Sequence, residues 1–239
     1  MKKFSIQVES QRIDGTLFIP NNKKKNPSVI FFHGSGSSEA RYLGIAEQLL
    51  TDEIASLTFS MRGHGGTSEG ILNSVTTKDN ILDAIAVYDF FVQQEGVDSE
   101  RIGLCGSSYG AVLVASLLEQ CNIKSIVLRA PAVYTNEMMA EKLDVLLADE
   151  KRIFNSLSGI QNTSVVQAVS KFKESILIIA SENDELIPIS IPNTLFKIAN
   201  LAKKKELTIM KNTPHELKDP RRRQEFTDII RKWFKETLF

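Results

Sequence analysis

The chain is short of the residues that announce a cross-linked, metal-bound or strongly charged protein. It has two cysteines in 239 residues, Cys105 and Cys121, and their spacing makes no disulfide or zinc framework. Cys105 lies inside an apolar run, where a lone thiol serves as a small core residue. There is no charge excess, with 29 basic residues against 29 acidic. Neutralising phosphates takes a basic surplus, so no nucleic-acid partner is expected. No segment reaches the roughly eighteen uninterrupted apolar residues of a membrane helix. The charged start, Met1–Lys3, has no apolar stretch behind it of the kind a signal peptide carries. A cytoplasmic protein with no membrane partner is therefore expected. No repeat, no Gly/Ser- or Pro-rich linker and no Walker or dinucleotide fingerprint is present. A single domain over residues 1–239 is expected.

What the chain does have is an ordinary globular composition, 42% hydrophobic and 24% charged, enough to bury a full core without staples. Short β-like runs alternate with longer helical patterns. Phe4, Ile6 and Val8 alternate with polar residues, and a second extended run covers Ile13 to Ile19, which together predict an antiparallel hairpin. Six runs follow with almost no alternation: Ser28–Phe32, Ile54–Phe59, Arg101–Cys105, Ile123–Leu128, Ile176–Ala180 and Glu206–Met210. Continuous apolar runs of that length suit parallel strands covered on both faces. Between Thr77 and Gln93, the residues Ile81, Ile85, Tyr88 and Val92 recur at helical steps. A last helix starts with Asp219 as N-cap and Pro220 at its first position, with Phe226, Ile230, Trp233 and Phe234 on its apolar face. The fold class that follows is α/β, a mostly parallel doubly wound sheet with an N-terminal antiparallel hairpin. In such sheets ligands bind beyond the carboxyl ends of the strands.

One stretch is longer than a crossover needs. From about 134 to 172 the chain carries Met138, Met139, Leu143, Leu146, Leu147, Phe154 and Leu157. Because it follows a strand's carboxyl end, a short helical cap over the site is expected, with a pair of ordinary packing helices as the alternative.

The strongest chemical signal is Gly106-Ser107-Ser108-Tyr109-Gly110. It follows the run Arg101–Cys105 and precedes the helical stretch Ala111–Gln120. A Gly-x-Ser-x-Gly turn from strand to helix holds its serine in a strained backbone and lifts the hydroxyl above the sheet edge. On these residues the chain resembles the α/β-hydrolase superfamily. Its relatives there look like small bacterial carboxylesterases of the cinnamoyl or feruloyl esterase kind, and related serine peptidases. The resemblance implies an oxyanion loop, then the serine, an acid and a histidine in chain order. His33-Gly34-Ser35-Gly36 follows the strand Ser28–Phe32 and resembles the His-Gly oxyanion loop. By that resemblance the backbone N–H groups of Ser35 and Tyr109 hold the oxyanion, with Gly36 as the alternative to Ser35. His33 is expected to support the loop.

Ser181 to Pro188 is similar to the family's Gly-x-x-Asp-x-x-x-Pro stretch and aligns Asp184 with the acid. Ser181 departs from the pattern, and Glu182 and Glu185 stand close by as competitors. His215 is the only histidine after the acid, and it follows the run Glu206–Met210 at the entry to the last helix. It is the expected general base. Arg62-Gly63-His64-Gly65 resembles a loop of bacterial esterases and of some serine peptidases, and is expected to be a turn that positions Arg62. The basic runs Lys23–Lys25, Lys203–Lys205 and Arg221–Arg223 are expected to be solvated surface.

The constellation Ser108, Asp184 and His215 implies transfer of an acyl group to water, a chemistry that needs no metal or organic cofactor. The expected partner is a small-molecule acyl substrate, on a monomer or homodimer. The substrate pocket is expected from the segment between Tyr134 and Phe172. The rival readings are a peptidase, with Glu137 or Glu141 holding a free amine, and a non-catalytic binding protein on the same fold.

Overall fold

The computed structural model describes residues 1–148 and 163–239. Strands β1 (Lys2–Val8) and β2 (Gln11–Phe18) form the expected antiparallel hairpin. It is joined to the edge of a sheet built from β3 (Asn26–Phe32), β4 (Ala55–Phe59), β5 (Val97–Ser107), β6 (Ser125–Arg129), β7 (Ser175–Asn183) and β8 (Lys204–Pro214). The spatial order is β1-β2-β4-β3-β5-β6-β7-β8. Every pairing from β4 onward is parallel.

All residues of β3, β4 and β6 are buried, which explains their lack of alternation: helices cover both faces. Successive side chains still point to opposite sides. Ile30 and Phe32 of β3 join one apolar cluster, whereas Val29 and Phe31 join the other. The first cluster is closed by α2 (Thr77–Val92), α3 (Tyr109–Leu117), α5 (Ser164–Lys171) and α6 (Ser190–Ile198). The second is closed by α1 (Leu43–Leu50) and α7 (Pro220–Leu238).

The start of α7 is as expected. The Asp219 carboxylate accepts the Arg221 N–H, Pro220 opens the helix, and Phe226, Ile230, Trp233 and Phe234 are buried. Helix α2 starts in a capping box, Thr76 and Asp79 each accepting the other's N–H. Its buried face is turned from the expected stripe. Ala84, Val87, Phe91 and, of the expected stripe, Tyr88 face the core, while Ile81, Ile85 and Val92 are half-buried. The reason is that α2 is apolar on two sides, since Phe90 also stacks on Phe4 of the hairpin, centroids 4.7 Å apart.

In the long insertion, a short helix α4 (Leu143–Ala148) follows a 3-10 turn at Met138–Ala140, and Met139, Leu143 and Leu146 are buried. Helix α5 packs on α3 with Val165, Val166, Ala168 and Val169 inside, so the end of the insertion belongs to the ordinary crossover. Phe154 and Leu157 lie outside the described residues. Among the described residues, no helix is long and apolar enough to cross a membrane.

Candidate active site

The site is built on the carboxyl ends of β3, β5, β6, β7 and β8. At the end of β5 the chain turns into α3 through Ser108, whose φ of 53° and ψ of −118° are costly for a residue with a side chain. The flanking glycines make the turn possible. A Cβ at Gly106 would stand 2.5 Å from the Gly110 carbonyl oxygen, and one at Gly110 would stand 2.2 Å from that of Phe32. The strained residue is pinned on both sides: its N–H donates to the Arg129 carbonyl at 2.9 Å, and its own carbonyl accepts from Ala111 and Ala132.

The structure brings the three side chains singled out in the sequence together. Ser108 Oγ lies 3.1 Å from His215 Nε2, and His215 Nδ1 lies 2.9 and 3.0 Å from the two carboxylate oxygens of Asp184. Asp184 Oδ1 also accepts the N–H groups of Leu186 and Ile187, at 3.0 and 2.8 Å, which fixes the carboxylate beyond the end of β7. The Asp184 side chain is 4% exposed and that of His215 13%. A carboxylate at Nδ1 favours the tautomer with the proton there, leaving the Nε2 lone pair toward the serine hydroxyl. The two competing glutamates do other work. Glu185 accepts the backbone N–H of His215, and Glu182 accepts from Lys211 and from the N–H of Asn212.

The His33–Gly36 loop runs beside Ser108. A Cβ at Gly34 would come within 3.5 Å of Ser108 Cβ. The N–H of Gly36 donates to His64 Nδ1 at 3.2 Å, so it is already committed. The N–H of Ser35 has no hydrogen-bond partner among the described residues. His33 is wholly buried, with Nδ1 2.8 Å from the Gly34 carbonyl and Nε2 accepting the Met61 N–H at 3.0 Å. Burial, then the neighbouring His64, lowers its pKa to about 3. His64 is lowered to about 4, again chiefly by burial. Both rings are neutral braces of the loop. In the Arg62–Gly65 turn, Arg62 is buried and ion-paired with Asp83 at 2.6 Å.

Three further residues went unnoticed in the sequence. Asn80 of α2 accepts from the Tyr109 hydroxyl at 2.9 Å and pairs with His64 Nε2 at 2.8 Å, linking the loop to the start of α3. A polar side chain among the apolar positions of α2 was the available sign. Tyr42 donates to Ser107 Oγ at 2.8 Å, next to Ser108. Arg129 ends the wholly buried β6 and touches all three loops of the site. Its carbonyl holds Ser108, while its Nη2 donates to Ser181 Oγ before Asp184 and to the Pro214 carbonyl before His215. A charge at the end of an apolar strand beside the strand that leads into the Gly-x-Ser-x-Gly turn was its sign.

A cavity of about 270 Å³ opens on Ser35, Ser108 and His215. Its other walls come from α1, from the start of α7 and from Arg129 and Leu186. The described residues of 134–172 do not line it, and residues 149–162 of the segment expected to build the pocket lie outside the described residues. Arg223, exposed as expected of the Arg221–Arg223 run, also borders the cavity. Among the described residues, no group of three or more His, Cys, Asp or Glu side chains is placed to hold a metal ion.

Residues 23–163, more than half of the chain, match the model of the hydrolase family described as serine aminopeptidase, S33. The protein belongs to this family. An uncharacterized protein of Mycobacterium tuberculosis is 25% identical over 238 residues, spanning 97% of this chain and 79% of its own length. Among solved structures, Est1E from Butyrivibrio proteoclasticus with ferulic acid bound is 19% identical, with a TM-score of 0.76 and 98% of each chain covered. A putative dipeptidyl aminopeptidase IV from Bacteroides ovatus is 18% identical, with a TM-score of 0.74 over 99% of this chain and 36% of its own. At these identities the two structures speak for the fold, which is that of the α/β hydrolases.

Proposed function

We propose that this hydrolase is a serine enzyme that cleaves a carboxylic ester of a small acyl or aryl substrate through an acyl-enzyme. The reading is carried by one observation, the relay from Asp184 through His215 to Ser108 on a strained elbow. His215 Nε2 takes the Ser108 proton as Oγ bonds to the carbonyl carbon. The carbonyl oxygen becomes an oxyanion held by the N–H groups of Ser35 and Tyr109. The C–O bond to the leaving alcohol then breaks, and the alcohol takes the proton from His215. Water repeats the sequence in reverse: it gives His215 a proton, attacks the acyl carbon, and the acid leaves as Ser108 regains its hydrogen. Asp184 holds the ring and stabilises its charged form without taking the proton. The steps balance with no metal or organic cofactor.

Ser35 is preferred over Gly36 as donor because the Gly36 N–H is spent on His64. The family description and the Bacteroides neighbour favour a second reading, a peptidase on small peptides. A free amine would then need a carboxylate. Glu137 and Glu141 are exposed and neither lines the cavity beside Ser108.

The test compares p-nitrophenyl esters of graded chain length, aryl esters and aminoacyl anilides on the native protein and on Ser108→Ala. Turnover of short esters that vanishes in the variant is expected. Equal turnover by both proteins would sink the mechanism, and turnover of anilides alone would select the peptidase.

A further inference from the structure

We infer that the cavity beside Ser108 is built for substrates bearing a free carboxylate of their own, besides the carboxyl group that is hydrolysed. This rests on the esterase reading above and adds the charge of the substrate to it. Three arginines line the cavity: Arg41 just before α1, Arg129 at the end of β6 and Arg223 in the first turn of α7. None of them forms an ion pair among the described residues. Arg41 donates only to the Leu217 carbonyl at 3.4 Å, and Arg223 to that of Lys218 at 3.1 Å.

Arg129 is the telling member. It is only 5% exposed, and its Nε is buried with no hydrogen-bond partner. Its Nη2 meets only neutral oxygens, those of Ser181 and Pro214. A guanidinium does not shed its proton in a protein, so this is a buried cation. Burial without a paired anion is costly. The nearby carboxylates Asp184 and Glu185 act on Arg129, and Glu216 on Arg41, only through space, since their direct bonds go to other groups. Asp184 serves His215 and two backbone N–H groups, Glu185 holds the His215 N–H, and Glu216, the acidic residue of the cavity wall, pairs with Lys218 at 2.8 Å. What Arg129 lacks is an anion in direct contact, and a ligand carboxylate would bring one. The planar fork of arginine suits a carboxylate, which can take two parallel N–H bonds. Leu186, Leu217 and Phe226 supply apolar wall, so a short methylene or aryl spacer between the two carboxyl groups fits the space. The same lining opposes a cationic substrate, such as a peptide with a free amine.

The test uses matched pairs of esters: mono-p-nitrophenyl glutarate against p-nitrophenyl valerate, and 3-carboxyphenyl butyrate against phenyl butyrate. In at least one pair the anionic member is expected to show kcat/KM about tenfold higher or more, the scale of one charge-assisted bond. The pair that responds places the carboxylate on the acyl or the alcohol side. The anionic-to-neutral ratio should fall about fivefold or more in the double variant Arg41→Gln, Arg223→Gln. It should also shrink as salt is raised from about 50 to about 500 mM. Binding is read separately on Ser108→Ala, whose melting temperature glutarate should raise and valeramide should not. Esters turned over without charge preference, and no stabilisation by glutarate, would overturn the inference and leave the esterase reading standing. Stabilisation by glutarate with no ester turned over would do the reverse.

Discussion

Asp184 accepts two backbone N–H groups through Oδ1 while both of its oxygens face His215 Nδ1. Because those backbone bonds set the angle of the carboxylate, replacing it by an amide separates geometry from charge. In Asp184→Asn the retained carbonyl oxygen can keep the N–H groups of Leu186 and Ile187. The new NH2 then faces the ring, and His215 must present Nδ1 as acceptor. The proton moves to Nε2, and the ring can no longer receive the hydrogen of Ser108. A fall in kcat of about ten-thousandfold is expected, with KM and melting temperature little changed, measured on the best ester of the panel. A fall of less than about tenfold would remove Asp184 from the relay that this reading assigns to it.

At the scale of elements, one helix, α7, follows the loop that carries His215 and supports β5, which leads into Ser108. Phe234 of α7 lies so close to β5 that a Cβ on Gly103 would stand 2.7 Å from its ring. It is fully buried in the cluster that α7 closes. Phe234→Ala is therefore expected to cost about 3–5 kcal/mol, transfer and cavity contributions together. The check is urea unfolding at an unchanged m-value, and a loss under about 1 kcal/mol would mean that α7 is not held by this ring. The elements themselves were largely legible, because a strand covered on both faces writes a continuous apolar run and a capped helix writes Asp219-Pro220. Their ends were less so. β5 begins at Val97 and β8 runs to Pro214, since sheet pairing carries on through polar residues that no apolar run can mark. Of the candidate site, Ser108, Asp184 and His215 were legible because their order and strand context are local. The cavity wall was not. Arg41, Arg129 and Arg223 come from three distant segments, and only the closing of α1 and α7 over the same sheet face brings them to one cavity.

The response of the whole molecule to acid follows from its buried ionisable groups. His33 and His64 must stay neutral to accept the N–H groups of Met61 and Gly36, and burial lowers them to about 3 and about 4 from the 6.5 of a free histidine. Below pH 6.5 the unfolded chain binds protons at both rings while the folded chain does not. Unfolding is then favoured as pH falls, by up to roughly 1.4 kcal/mol per histidine per pH unit. The stability these rings give is present above pH 6.5 and drains away down to about pH 4 for His64 and about pH 3 for His33. Asp83 works the other way. Burial, opposed by Arg62, pushes it up to about 6 from 3.8, so between those values the folded state holds the extra proton. It opposes the histidines in that interval. The difference between native protein and His64→Gln isolates a single ring. Unfolding free energies from pH 7 to 4 should fall less steeply in the variant, by the slope of about one proton. Identical slopes would mean that His64 takes up its proton in the folded protein as readily as in the unfolded chain, and that its bond to Gly36 does not hold it neutral.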